Sequence, residues 1–274
     1  MPLQNPISQS TNALQSATTT VNVSSATAPS SGQVLTASSS TAATWVTTSA
    51  GGWTPGVIPT ADANSYYRWD FTAEADGATS VTNSGVGGAL TITSNAPSSN
   101  YVTYSLLGKR GAWNTSTSST WTSAGTPTAL NGITEATIWF AWYRTPQQKT
   151  NGSWLFNIYG AQCSVDYDGF GASQNLTTSA GSTTTSPLCD IWGGAGPAFF
   201  AVTLGSGTVK FYNNGTLVSS GANAGSLSNG AVFQLNGNGF GSGIFGWMFG
   251  AGIDNVCRTP AQIRAMANAF RGVS

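Results

Sequence analysis

Histidine is missing from all 274 residues of the chain. That removes the commonest general acid/base, the usual imidazole metal ligand and every Ser–His or Cys–His catalytic pair. Charge is nearly as scarce. Nine basic and nine acidic side chains make up 7% of the residues, against about 25% in an ordinary globular domain. With a net charge of zero and no basic footprint, the composition argues against phosphate-backbone recognition of nucleic acid. No window approaches the roughly 18 consecutive apolar residues of a spanning helix, so membrane insertion is not expected. The start of the chain also lacks the positive charge and apolar run of a secretory peptide; the first charged residue is Asp62. Cysteine is limited to Cys163, Cys189 and Cys257. Their spacing fits no zinc pattern, and at most one disulfide is possible, most naturally Cys163–Cys189.

What is present is apolar and turn-rich. Ten Trp, 12 Phe and 8 Tyr supply a core, and 34 Gly supply turns between short strands. Residues 1–50 differ from the rest: 21 of those 50 are Ser or Thr, a composition that buries too little surface to offset its ordering entropy alone. Within this tract Ser31–Ser38 and Thr44–Thr48 are two β-prone runs around a polar turn, a hairpin pattern. Gly51 to Pro59 reads as a linker. Residues 1–60 are therefore expected to be a low-complexity arm with hairpin and linker, and 61–274 a second domain.

The second domain reads as all-β. Tyr66–Phe71, Ala89–Thr93, Ala136–Tyr143, Trp154–Tyr159, Phe199–Leu204, Val209–Tyr212, Thr216–Val218, Ala231–Leu235 and Ile244–Phe249 are apolar or alternating runs divided by Gly and Asn turns. Many short strands of this kind predict a two-sheet sandwich. One helix is expected near the end: Thr259 as N-cap, Pro260 at the first helical position, Ile263, Met266 and Phe270 at helical spacing, and Gly272 at the close.

Two resemblances emerge from these segments. Gly32 to Trp45, with Gly32-Gln33-Val34-Leu35-Thr36 and Ala43-Thr44-Trp45, resembles a short module of bacteriophage tail-fibre and minor structural proteins. In the second domain, Trp69-Asp70-Phe71 with Asn83-Ser84-Gly85 opens a series that continues with Phe199-Phe200-Ala201-Val202-Thr203. Lys210 to Val218 around Asn213-Asn214-Gly215, and Gly252-Ile253-Asp254-Asn255-Val256 before Thr259-Pro260, complete it. These pieces, in this order, resemble the laminin-G-like, concanavalin-A-like lectin fold. That resemblance implies a jelly-roll sandwich with a short C-terminal helix. It implies no particular function, because the fold serves lectins, enzymes and adhesion modules alike.

Hydrolysis of a glycosidic bond needs two carboxyl groups about 5–10 Å apart. The chain has only Glu74 and Glu135 as glutamates, and neither sits in the clustered E-x-D-x-x-E arrangement of the fold's glucanases, so no enzyme is expected. Asp166 and Asp168 are the only D-x-D pair. On a strand they would share a face and could hold calcium with backbone or Asn oxygens, but solvated turn carboxylates are the favoured reading. Asp254 is expected to hydrogen-bond structurally. For sugar binding, Trp113, Trp121 and Trp192 fall in polar or glycine-rich stretches and are the candidate stacking platforms, with Asn236 and Asn238 as candidate hydroxyl partners. Trp69, Trp139, Trp142 and Trp247 lie in apolar runs and read as core.

A phage-like hairpin, a lectin-like sandwich and the absence of a secretion signal converge on a bacteriophage virion protein, made in the host cytoplasm and placed on the particle surface. Residues 1–50 would anchor it to other capsid or tail proteins, as a homotrimer or other homo-oligomer, and the sandwich would adhere weakly to host surface glycans. A capsid decoration or cement protein that recognises nothing, and a non-viral bacterial adhesion module, are the competing expectations.

Overall fold

The computed structural model describes residues 13–15, 20–23, 33–37, 42–47, 58–105, 108–114, 120–125, 128–144, 153–158, 161–167, 172–184, 196–227, 233–235 and 246–272. The chain divides into two compact units, Met1–Thr54 and Pro55–Ser274.

The first unit holds strands β1 (Ala13–Gln15), β2 (Thr20–Val23), β3 (Gln33–Ala37) and β4 (Ala42–Thr47) in the order β1-β2-β4-β3. β3 and β4 form the expected antiparallel hairpin with Leu35 opposite Trp45. β2 and β4 pair in parallel.

The second unit is a sandwich of two eight-stranded sheets among the described residues. One contains β18 (Thr216–Ala222), β17 (Thr208–Asn213), β16 (Gly196–Gly205), β11 (Ala136–Arg144), β20 (Gly246–Asp254), β9 (Arg110–Asn114) and β8 (Tyr101–Tyr104) in that order. Its eighth strand, β5 (Ser65–Asp70), pairs with the C-terminal half of β20, whose N-terminal half pairs with β9. The opposing sheet runs β15 (Gly181–Thr184), β14 (Ala172–Thr178), β13 (Ala161–Tyr167), β12 (Ser153–Ile158), β19 (Phe233–Leu235), β10 (Trp121–Ser123), β7 (Thr91–Ser94) and β6 (Ser80–Thr82).

Alternation along the strands sorts side chains onto two faces. Ile138, Phe140 and Trp142 of β11, with Phe200, Val202 and Leu204 of β16, enter the core between the sheets. Each such side chain contributes roughly 1.5–3 kcal/mol of apolar burial. Across the core, Trp69 of β5 stacks on Phe233 of β19 at 4.4 Å between ring centroids, which ties one sheet to the other.

The alternate residues of β11 and β16 point outward, and a single helix covers one end of that outer face. Helix α1 (Pro260–Arg271) starts at Thr259 with a capping box to Gln262 and ends at Gly272 in the left-handed conformation. It buries Ile263, Ala267 and Phe270; Met266, expected on this stripe, is only half-buried. Phe270 packs on Phe199 and Phe249, and Phe199 stacks on Trp139. Trp139 lies so close to β20 that a Cβ on Gly252 would fall 2.5 Å from its indole, so glycine is required there. The expected linker ends earlier than Pro59: Ile58 is buried and covers Gly250, and the Pro59 carbonyl accepts from Arg68 Nε at 2.6 Å.

Candidate functional site

The predicted sugar-contact residues part company in the structure. Trp121 is fully buried on β10. Its ring meets Phe71 edge-on at 5.0 Å, and its Nε1 donates to Asn100 Oδ1 at 3.0 Å. A buried indole with its one donor satisfied cannot serve as a sugar platform, and Trp121 is corrected to core. The polar residues around it concealed a strand that buries alternate positions. Trp192, Asn236, Asn238 and Asp168 lie outside the described residues, as does the Cys163–Cys189 pairing. Asp166 is on β13, but its side chain is likewise outside them. Among the described residues no group of three or more acidic or cysteine side chains could hold a metal.

Trp113 is different. It lies on β9, on the outer face of the helix-bearing sheet, and is partly exposed. Its direct neighbour across β20 is Trp247, and the two indoles are 4.0 Å apart between centroids, tilted by 35°. Trp247 in turn opposes Tyr143 of β11, whose ring meets it edge-on at 6.2 Å. On the other side Trp113 opposes Tyr101 of β8. The registers therefore place Tyr101, Trp113, Trp247 and Tyr143 in one line across four adjacent strands, with Pro197 of β16 next in line. Trp247 is 8% exposed and forms the floor; Tyr101, Trp113 and Tyr143 are partly exposed.

This row was hidden because its members come from four separated segments. Trp247 reads as core because it belongs to an apolar run, and Tyr143 is only the last residue of an expected strand. Only strand pairing brings them to Trp113. The one available signal was an aromatic residue at the end of each of several strands.

The outer face also carries an ionic cluster at its opposite end. Arg258 donates from Nε to Asp254 at 2.5 Å and from Nη2 to Asp62 at 3.0 Å. Asp254 is buried; burial pushes its carboxyl above the ordinary value, while Arg258 pulls against that shift. Burial also lifts Asp62, but the Asn64 amide and Arg258 outweigh it and hold that carboxyl below its ordinary value. Beside them is a cavity of about 230 Å³ between Pro59, Trp139 and Met266. Its polar groups are spent on one another, and the cluster acts as a clamp joining the lead-in segment, β20 and the start of α1.

Two other acids are also accounted for. Asp70 accepts from Thr72 and pairs with Arg68 Nη2 at 3.0 Å. Glu74 is raised by burial and then by the charge of Asp70.

No protein-family model matches the chain, and no curated protein matches it. Solved structures do. Domain 4 of AbnA, a GH43 extracellular arabinanase from Geobacillus stearothermophilus, solved with arabinotriose, is similar at TM-score 0.56 and 20% identity, covering 75% of this chain and 99% of that domain. The receptor-binding domain of the botulinum neurotoxin C/D mosaic serotype is similar at TM-score 0.56 and 10% identity, over 75% of this chain and 51% of that one. The binding domain of botulinum neurotoxin DC, solved in complex with SialylT, gives TM-score 0.53 and 10% identity over 76% and 51%. The chain thus spans about half the length of these neurotoxin domains. The likeness establishes the β-sandwich fold.

Proposed function

We propose that the sandwich is a non-catalytic glycan-binding domain and that the whole chain is a bacteriophage virion protein displaying it on the particle surface. The observation that carries the binding reading is the line of Tyr101, Trp113, Trp247 and Tyr143 across one outer sheet face. Partly exposed aromatic faces suit the C–H faces of sugar rings, and such amphipathic rings are common at recognition surfaces. The arabinotriose complex of a structurally similar domain agrees with this reading.

The virion reading rests on the hairpin of β3 and β4, which folds the phage-like segment as expected, and on the separate compact unit that contains it. That unit, rich in Ser and Thr and devoid of charge, would anchor the protein to capsid or tail partners as a homotrimer. Full-length protein tested on a glycan array and by co-sedimentation with phage particles separates the two parts. Sugar binding lost in Trp113→Ala, together with particle association, is the expected result. A full-length monomer that ignores particles removes the virion reading, and an array without signal removes the lectin reading.

A further inference from the structure

We infer that the aromatic row takes a neutral, extended oligosaccharide lying across the strands, held by stacking and hydroxyl contacts without electrostatic attraction. The inference rests on the glycan-binding reading and specifies its ligand. Direction comes from the register. Tyr101, Trp113, Trp247, Tyr143 and Pro197 occupy consecutive strands at matched positions. Four inter-strand steps of about 4.8 Å give a line of roughly 19 Å, long enough for several sugar rings end to end and too long for one.

Neutrality comes from what surrounds the row. Toward α1, the adjoining residues on the same face are Thr103, Gly111, Phe249, Ala141 and Phe199, all uncharged. Gly111 lets β9 lie close against β20, where a Cβ would meet the Met248 carbonyl at 3.1 Å and Phe249 at 3.2 Å. The nearest charge on β9, Arg110, is committed elsewhere: it donates to the Glu74 carbonyl and lies over the Tyr104 ring at 5.5 Å. Arg68 and Arg258 are likewise held by their own carboxylates. The described side chains that adjoin the row toward α1 therefore offer an anionic chain no cation, and Arg144, which follows Tyr143 on β11, occupies the alternate strand position. A site without charge also has no long-range field to be screened.

The test is calorimetric titration of the full-length protein with neutral oligosaccharides from disaccharide to hexasaccharide, and with acidic galacturonate oligomers of matched length. Each series is run at about 0.05 and 0.5 M salt. Affinity should rise with length for the neutral series and change less than about twofold with salt. Trp113→Ala should weaken it by about tenfold or more, roughly 1.4 kcal/mol. Tyr101→Ala, at the far end of the row, should weaken the longer ligands but not the disaccharide, and Tyr104→Ala should leave all binding unchanged. Preference for the acidic series with loss at high salt overturns this inference and leaves the glycan-binding reading standing. Neutral binding untouched by Trp113→Ala or Tyr101→Ala overturns the assignment to the row. No binding by either series overturns the inference and the reading together.

Discussion

Trp113 and Trp247 press their indoles together at 4.0 Å across β9 and β20, yet the two differ in burial. Trp113 is partly exposed, whereas Trp247 is 8% exposed. Replacing them should therefore have separable effects. Trp247→Ala should cost stability in the range of about 3–5 kcal/mol found for buried aromatic truncation. Trp113→Ala should cost clearly less in denaturant unfolding while still removing sugar binding. Equal losses of stability would mean that both rings serve packing alone.

Trp121→Phe removes a buried hydrogen bond together with part of the ring. Asn100 Oδ1 loses the Nε1 donor at 3.0 Å, and the smaller phenyl leaves a cavity that adds to the loss. An unsatisfied buried acceptor costs about 1–3 kcal/mol. Chemical denaturation should register that loss, and glycan binding should be unchanged because Trp121 lies between the sheets.

The Arg258 clamp makes a prediction with a sign. Asp254 is held above its ordinary 3.8, so the folded state binds its proton more tightly than the unfolded chain does. Its contribution is full below 3.8 and is lost as pH rises through the folded value. Asp62, held below 3.8, acts in the opposite sense: its contribution is present above 3.8 and disappears as pH falls through its lower folded value. The stability of the wild type minus that of Asp254→Asn should therefore increase as pH is lowered from 7 toward 4. Melting curves across that range, with a flat or declining difference, would show that Arg258 rather than burial governs Asp254. Asp254→Ala should lower stability at pH 7 by up to about 3 kcal/mol, since it strips the largely buried Arg258 guanidinium of its nearest partner and leaves it only Asp62.

Helix α1 is fixed at its start by a cap and along its middle by close contact with the β17–β18 turn. Thr259→Ala removes the capping box and should cost about 0.5–2 kcal/mol. Gly215→Ala should cost more than the cap. Gly215 has φ of +83°, and an added Cβ would fall 2.9 Å from Arg264 Cα, so the substitution strains the β17–β18 turn and pushes the helix off the sheet. Thermal melts of the two single variants and the double variant would show whether the cap and the turn act together on the helix.

Much of this architecture could be read from the residues. Ala136–Tyr143 and Phe199–Leu204 became β11 and β16 because their apolar runs are continuous, as strands covered on both faces require. Thr259, Pro260 and Gly272 marked the helix because capping chemistry is local. Strands such as β9 and β10 escaped notice. Arg110-Gly111-Ala112-Trp113-Asn114 carries no β-branched residue, and it is a strand because β8 and β20 supply its hydrogen bonds. The same dependence hid the aromatic row. A residue's face can be guessed from alternation, but which residue stands opposite it is decided by pairing between distant segments.

That long-range pairing governs how the protein is born. β20 completes β5, β9 and β11 at once, with Gly250 opposite both Asp70 and Ala141 and Trp247 opposite both Trp113 and Tyr143. On a ribosome, β5 emerges well over a hundred residues before β20, and its edge facing β20, its only described partner strand, waits unpaired until then. Folding of such a topology is slow, on the order of milliseconds to seconds. Until β20 arrives the nascent chain displays unpaired strand edges and the rings destined for the core, so its exposure to aggregation is greatest in the interval between the synthesis of β5 and that of β20.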